Sequence, residues 1–281
     1  MPEFEPIMGR YFTMDVAGKP CRIYAEEAGE GIPLICLHTA GSDARQYRHL
    51  LCDKSVTDHY RVIAFDMPWH GKSNPPAGFR EEEYKLTTDL YKETVMSFCQ
   101  AYELSDPVVM GCSMGGRVVL HLALEWANYF RCVIALEGSD KLDAYYDLDW
   151  LHRPDVHGGE IASAFVSAQV APQSPDEYRW ETLWHYMQGG PGIFKGDLYF
   201  YWHDGDFDAR SSLIDTKKCP VYLLSGEYDS SCTPERTEAT SARIKGSRAT
   251  VMEGIGHFPM SENPELFRSY LIPLLEEIRG E

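Results

Sequence analysis

The sequence predicts an α/β fold: a mostly parallel, twisted, eight-stranded sheet flanked by helices and carrying a mainly helical insertion. Three observations predict it. Short apolar runs alternate with segments of helical periodicity along most of the chain, the order that threads a parallel sheet. Several of these runs, such as Pro107-Val108-Val109-Met110, are apolar at successive positions, as strands covered on both faces must be. Between that run and a helical repeat of Val118, Val119, Leu122, Ala123 and Trp126 sits Gly111-Cys112-Ser113-Met114-Gly115. That stretch reads as a sharp strand-to-helix turn that pushes a serine hydroxyl out to where a substrate can reach it.

Taken in order, residues 10–28 read as an antiparallel hairpin turning at Ala17-Gly18-Lys19-Pro20. Ile32 to Leu37 is a buried strand running into His38-Thr39-Ala40-Gly41-Ser42. Arg61 to Phe65 is another, ending in Asp66-Met67-Pro68-Trp69-His70-Gly71-Lys72-Ser73. A polar, proline-containing loop follows, then a helix from about Lys85 to Tyr102. After the Ser113 turn come strands at Cys132–Leu136, Pro220–Leu224 and Ala249–Met252. Pro264 to Ile278 is a closing amphipathic helix with Asn263 as its N-cap.

Residues 138–208 break this rhythm. They hold 14 of the 35 aromatic residues, and 13 Asp/Glu against 4 Lys/Arg, which makes them an acidic, aromatic lid set into the sheet. The core is therefore expected at 1–137 and 209–281, with the lid at 138–208. Tyr145 and Trp184 are the lid residues expected to meet a substrate.

Composition narrows the function. A net charge of −17 repels nucleic acid and anionic membrane surfaces, and no basic stripe offsets it. No stretch approaches 18 apolar residues, and the acidic N-terminal residues do not resemble a signal peptide. The eight cysteines form no C-x-x-C pair and no metal-ligand spacing, which fits a reducing cytoplasm. The expected partner is a small-molecule substrate, with a homodimer left open; neither cofactor nor metal is expected.

Chemistry needs more than Ser113. A serine hydroxyl is a weak nucleophile until a base takes its proton and a carboxylate orients that base. Asp229 lies just past the strand Val221–Leu224, and His257 lies on the glycine-flexed loop after the last strand. Ser, Asp and His in that chain order, each at a strand end, complete the set. Glu137, closing the Cys132–Leu136 strand, is the alternative acid.

With these residues the chain resembles the α/β-hydrolase superfamily over essentially its whole length. The resemblance rests on His38-Thr39-Ala40-Gly41-Ser42, Asp66 to Ser73, the Ser113 turn, Gly226-Glu227-Tyr228-Asp229 and Gly256-His257. It implies Ser113 as nucleophile, His257 as general base and then acid, and Asp229 as orienting carboxylate. It also implies an oxyanion hole made by the backbone N–H groups of Met114 and Ala40. Thr39 stands where relatives carry glycine, so Thr39 is an alternative donor through its own N–H or hydroxyl.

A serine in this place points to ester or lactone hydrolysis through an acyl-enzyme. The lid's acidity disfavours strongly anionic substrates, and its aromatics favour a neutral, partly aromatic one. The alternatives are a hydrolase of a carbon–carbon bond in a ring-cleavage product, which should carry pocket arginines, and a low-turnover ligand receptor. For the first, only Arg117, Arg153 and Arg179 are available.

Overall fold

The strands run Met8–Val16 (β1), Lys19–Ala28 (β2), Ile32–Leu37 (β3), Tyr60–Asp66 (β4), Val108–Cys112 (β5), Cys132–Leu136 (β6), Val221–Gly226 (β7) and Arg248–Met252 (β8). They come from a computed structural model that describes all residues except 1, 145, 146, 148, 152–157 and 281. They form one sheet in the order β1-β2-β4-β3-β5-β6-β7-β8. β1 pairs antiparallel with β2 and β2 with β4; from β4 to β8 every pairing is parallel.

The hairpin turn is tighter than its sequence suggests. Ala17 and Gly18 both take positive φ, 53° and 74°, making a two-residue turn whose twist suits the strands. Strand pairing resumes at once with Lys19, so Pro20 lies within β2 opposite Asp15. It is tolerated there because β2 pairs with β4 only from Tyr24 onward.

The central strands β5, β6 and β7 are buried at every position. Their alternating side chains feed two cores. One face of the sheet, with Ile35, Ile63, Val109, Val133 and Leu223, packs under helices α1 (Thr88–Ala101) and α2 (Met114–Glu125). The other, with Leu34, Val62, Met110, Ile134 and Leu224, receives Leu271, Leu274, Leu275 and Ile278 of the closing helix. α1 starts three residues later than the periodicity suggests: Thr87 caps it, and Leu86 is held extended by its N–H bond to Gly196 O, 3.0 Å.

Between β6 and β7 the chain leaves the sheet and builds α3 (Gly158–Val166), α4 (Asp176–Met187) and α5 (Ile193–Tyr199), continued by a wider turn at Phe200–Asp204. The two ends of this excursion are stitched together by Asp140. Its buried carboxylate accepts from Ser211 Oγ (2.6 Å), Arg243 Nε (2.7 Å) and Thr240 Oγ1 (3.1 Å), and its carbonyl takes the Phe207 N–H. The closing helices are α6 (Pro234–Arg243) and α7 (Pro264–Gly280), with Asn263 Oδ1 accepting from Leu266 N–H at 3.3 Å. Among the described residues no helix is long and apolar enough to cross a membrane.

Candidate active site

Ser113 sits between β5 and α2 with φ 60° and ψ −113°, a conformation that costs a non-glycine residue on the order of 1–3 kcal/mol. Its neighbours make the turn possible. A Cβ on Gly111 would stand 2.4 Å from Gly115 O, and one on Gly115 would stand 2.8 Å from Leu37 O. Only glycine lets strand and helix approach this closely. No side chain caps α2, so its first N–H groups, Met114 included, point positive potential at the start of the helix.

Asp229 follows β7 by three residues and is buried. One carboxylate oxygen accepts from the N–H groups of Ser231 (2.7 Å) and Cys232 (3.1 Å). The other lies 2.8 Å from His257 Nδ1. Burial alone would raise this carboxyl, but the adjacent imidazole and the N–H donors hold it below the usual range.

The loop carrying His257 is shaped by Glu262, a buried carboxylate that sequence reading missed. It accepts from Gly256 N–H (2.7 Å) and Phe258 N–H (3.1 Å), on either side of His257, and from Ser174 Oγ (2.9 Å) and Ala171 N–H (3.2 Å) in the lid. The His257 N–H itself donates to Gln169 O, 2.9 Å.

Ser113 and His257, each about 4 % exposed, line one small cavity together with Ala40, Phe165, Val166, Gln169, Tyr186, Phe194, Leu198, Tyr201 and Ser231. Its volume is about 20 Å³, room for little more than a water molecule.

The loop after β3 separates the two oxyanion-donor readings. Thr39 N–H donates to Gln46 Oε1 at 3.0 Å, and its hydroxyl is bonded to Gln46 and to Tyr186 Oη. In this structure both Thr39 donors are engaged in bracing the loop. Gly41 N–H is claimed by Asp197 Oδ2 at 2.7 Å. Between them, the N–H of Ala40 has no acceptor among the described residues.

Asp197 was not legible in the sequence. It descends from α5, is fully buried, and also meets His70 Nε2 and Tyr84 Oη, each at 2.8 Å. His38 and His70 pack with ring centroids 4.7 Å apart. His38 is forced neutral by its contacts. Nδ1 donates to Thr39 O (2.9 Å) while Nε2 accepts the Met67 N–H (3.3 Å), and burial, then the His70 charge, lower its pKa to about 4.

Two expected substrate contacts need separate treatment. Tyr145 lies outside the described residues. Trp184 is 62 % exposed and does not line this cavity. α4 turns Thr182, Leu183, His185 and Tyr186 inward and leaves Trp180 and Trp184, one turn apart, facing solvent. The inward aromatic of that helix is Tyr186, edge-on to Phe258 at 5.4 Å. Helical phase, rather than aromatic count, was the signal that distinguishes them.

Arg117 is also no substrate ligand. Fully buried, it donates to Tyr201 O (2.5 Å), Ser139 O (2.7 Å) and Ser139 Oγ (3.2 Å), tying lid to core. Arg179 lies on α4 away from the cavity, 3.8 Å from Asp176, and Arg153 is outside the described residues. Among the described residues, Glu137, Asp229 and His257 form the one group whose potential ligand atoms all lie within 4.8 Å. Since His257 and Asp229 already bond each other, this group reads as a proton-sharing chain rather than an ion cage. All eight cysteines are free.

A parallel sheet with a serine at the strand-to-helix turn and a His–Asp pair at neighbouring strand ends defines a hydrolase architecture, and comparison with known proteins agrees. Residues 34–269 match the model of the alpha/beta hydrolase family, and the chain belongs to that family. It is 23% identical over 263 residues to an uncharacterized hydrolase, YugF, of Bacillus subtilis (86% of this chain, 89% of that one). Over 141 residues it is 27% identical to the 2-hydroxy-6-oxononadienedioate/2-hydroxy-6-oxononatrienedioate hydrolase of Escherichia coli K12, covering 49% of this chain and 47% of that one. Among solved structures, a thermophilic esterase from Thermogutta terrifontis superposes with TM-score 0.82 at 18% identity, over 96% of this chain and 99% of that one. The enol-lactonase of Burkholderia xenovorans LB400 gives TM-score 0.78 at 16% identity, over 97% and 100%. These two share the fold.

Proposed function

We propose that this protein is a serine hydrolase that cleaves a small to medium, neutral, partly aromatic carboxylic ester or lactone through an acyl-enzyme. The observation that carries the reading is the sharing of one small cavity by Ser113 and by a His257 whose Nδ1 is bonded to buried Asp229. Ser113 Oγ attacks the carbonyl as His257 takes its proton, and Asp229 holds the imidazole and balances its charge. The N–H groups of Met114 and Ala40 receive the oxyanion. His257 then passes the proton to the leaving alcohol and activates the water that releases the acid.

The walls favour a neutral acyl group. Phe165, Val166, Phe194 and Leu198 supply apolar surface, and no Arg or Lys lines the cavity. An anionic ring-cleavage product, such as the dioates named for the Escherichia coli relative, would bury a carboxylate there without a partner, at a cost of several kcal/mol. The protein is expected to work in the cytoplasm on a small molecule.

The test is a panel of nitrophenyl esters, lactones and vinylogous diacids, with a fluorophosphonate probe. Expected are labelling of Ser113, turnover of neutral esters or lactones, and loss of nearly all turnover in Ser113→Ala with the fold intact. Stoichiometric labelling without turnover would make the protein a receptor. Preference for the diacids would make it a carbon–carbon hydrolase.

A further inference from the structure

Glu137 has no part in the reaction just described, yet it is placed with care. It lies just past β6 at φ 49°, where an ordinary side chain is strained, and it is fully buried. Both of its carboxyl oxygens lie on one N–H, that of Gly226, at 2.8 and 2.9 Å. One of its carboxyl oxygens lies within 4.8 Å of a carboxylate oxygen of Asp229 and of a ring nitrogen of His257.

Two carboxyls this close in a dry site do not both ionise. Their partners decide which one keeps a proton. Asp229 receives two backbone N–H groups and the imidazole, whereas Glu137 receives half of a shared N–H on each oxygen. The other titratable groups facing Glu137 are the thiols of Cys112 from β5 and of Cys232 beyond β7; the Tyr201 hydroxyl reaches only its backbone carbonyl, at 3.4 Å. None supplies a positive charge. Burial, and next the Asp229 charge, push the Glu137 carboxyl well above the usual range. A neutral carboxyl carries an O–H, and a buried O–H needs an acceptor. Asp229 is the charged acceptor beside it.

We infer that Glu137 donates a carboxyl O–H to Asp229 and so acts as a positioning residue one step behind the triad acid. By sharing Asp229's charge it fixes the plane of that carboxylate and sets how strongly His257 holds its proton. The inference rests on the reading of Ser113, His257 and Asp229 proposed above.

Glu137→Gln tests it, because an amide keeps one donor for Asp229 and one acceptor for Gly226 while having no proton to lose. Expected is kcat/KM within about threefold of wild type, with the acid limb of its pH profile unmoved. Glu137→Leu, lacking the donor, should lower kcat at least about tenfold and move that limb upward by roughly half a unit. Infrared difference spectra at about pH 8 should show the band of an un-ionised carboxylic acid in wild type and its absence in Glu137→Gln, a reading available even if Glu137→Leu does not fold. A loss of about 100-fold or more in Glu137→Gln, a downward move of its acid limb, or no such band would overturn the inference. Asp229→Asn serves as the separate control: wild-type activity there would sink the triad reading itself, whatever Glu137 does.

Discussion

Replacing Asp197 by asparagine should loosen the lid and the loop after β3 together, and by an amount that depends on pH. Asp197 joins α5 to Gly41 N–H (2.7 Å), His70 Nε2 (2.8 Å) and Tyr84 Oη (2.8 Å), all buried. Burial pushes the His70 imidazole toward neutrality, but the Asp197 carboxylate, together with the Pro68 carbonyl and the Asp66 charge, makes the net shift upward. A base whose pKa is raised by folding contributes stability that is complete below its unfolded value, about 6.5, and is lost as pH rises through its folded value. In Asp197→Asn that partner is gone and burial dominates. Below about pH 6.5 the variant must then strip or bury an unpaired imidazolium, whereas wild type gains from it.

Breaking a buried ion pair by removing one member costs about 3–5 kcal/mol. The amide oxygen of the substituted side chain could still accept from Gly41 and His70, so at high pH the loss shrinks to about one hydrogen bond, roughly 1 kcal/mol. Urea unfolding of both proteins at about pH 6 and pH 8.5 measures the difference, bracketing the unfolded histidine value. Because Gly41 adjoins the proposed oxyanion donor Ala40, kcat on a nitrophenyl ester should also fall, by up to about 100-fold, with KM little changed. An equal destabilisation at both pH values would refute the argument, as would no destabilisation at the lower one.

Two further outcomes are expected. Burial holds His121 neutral, its pKa lowered to about 4, with Nε2 bonded to Gly205 O at 2.9 Å and Nδ1 unpartnered. A base depressed by folding costs stability as pH falls from about 6.5 toward its folded value, so His121→Gln, which keeps the Gly205 bond, should gain about 3 kcal/mol on wild type across that window in urea titrations; a constant difference would mean the imidazole titrates normally. Phe194→Ala removes a wall of the 20 Å³ cavity and should raise the hexanoate-to-acetate ratio of kcat/KM by about tenfold or more on nitrophenyl esters; an unchanged ratio would place the acyl group elsewhere.

Much of this molecule is written locally. Consecutive apolar residues in β3, β5, β6 and β7 can only be satisfied by a sheet covered on both faces, so the strands were legible to within a residue or two. Glycines at 111 and 115 around Ser113 announce a turn that no side chain permits, which made the elbow legible as well. Loop chemistry at strand ends placed Asp229 and His257 beside it. Helical phase could have separated Tyr186 from Trp184, but aromatic content alone could not.

What sequence could not decide is who claims each polar group once distant segments meet. Thr39 loses its N–H to Gln46, Arg117 spends its guanidinium on Ser139 and Tyr201, and Asp197 reaches from the lid to Gly41 and His70. Glu262 and Glu137, alike as residues in the chain, become a loop brace and a partner of Asp229. Apolar patterning is fixed by each residue's own cost of facing water. A buried hydrogen bond or proton belongs to two residues at once, and only the folded chain brings the second one into reach.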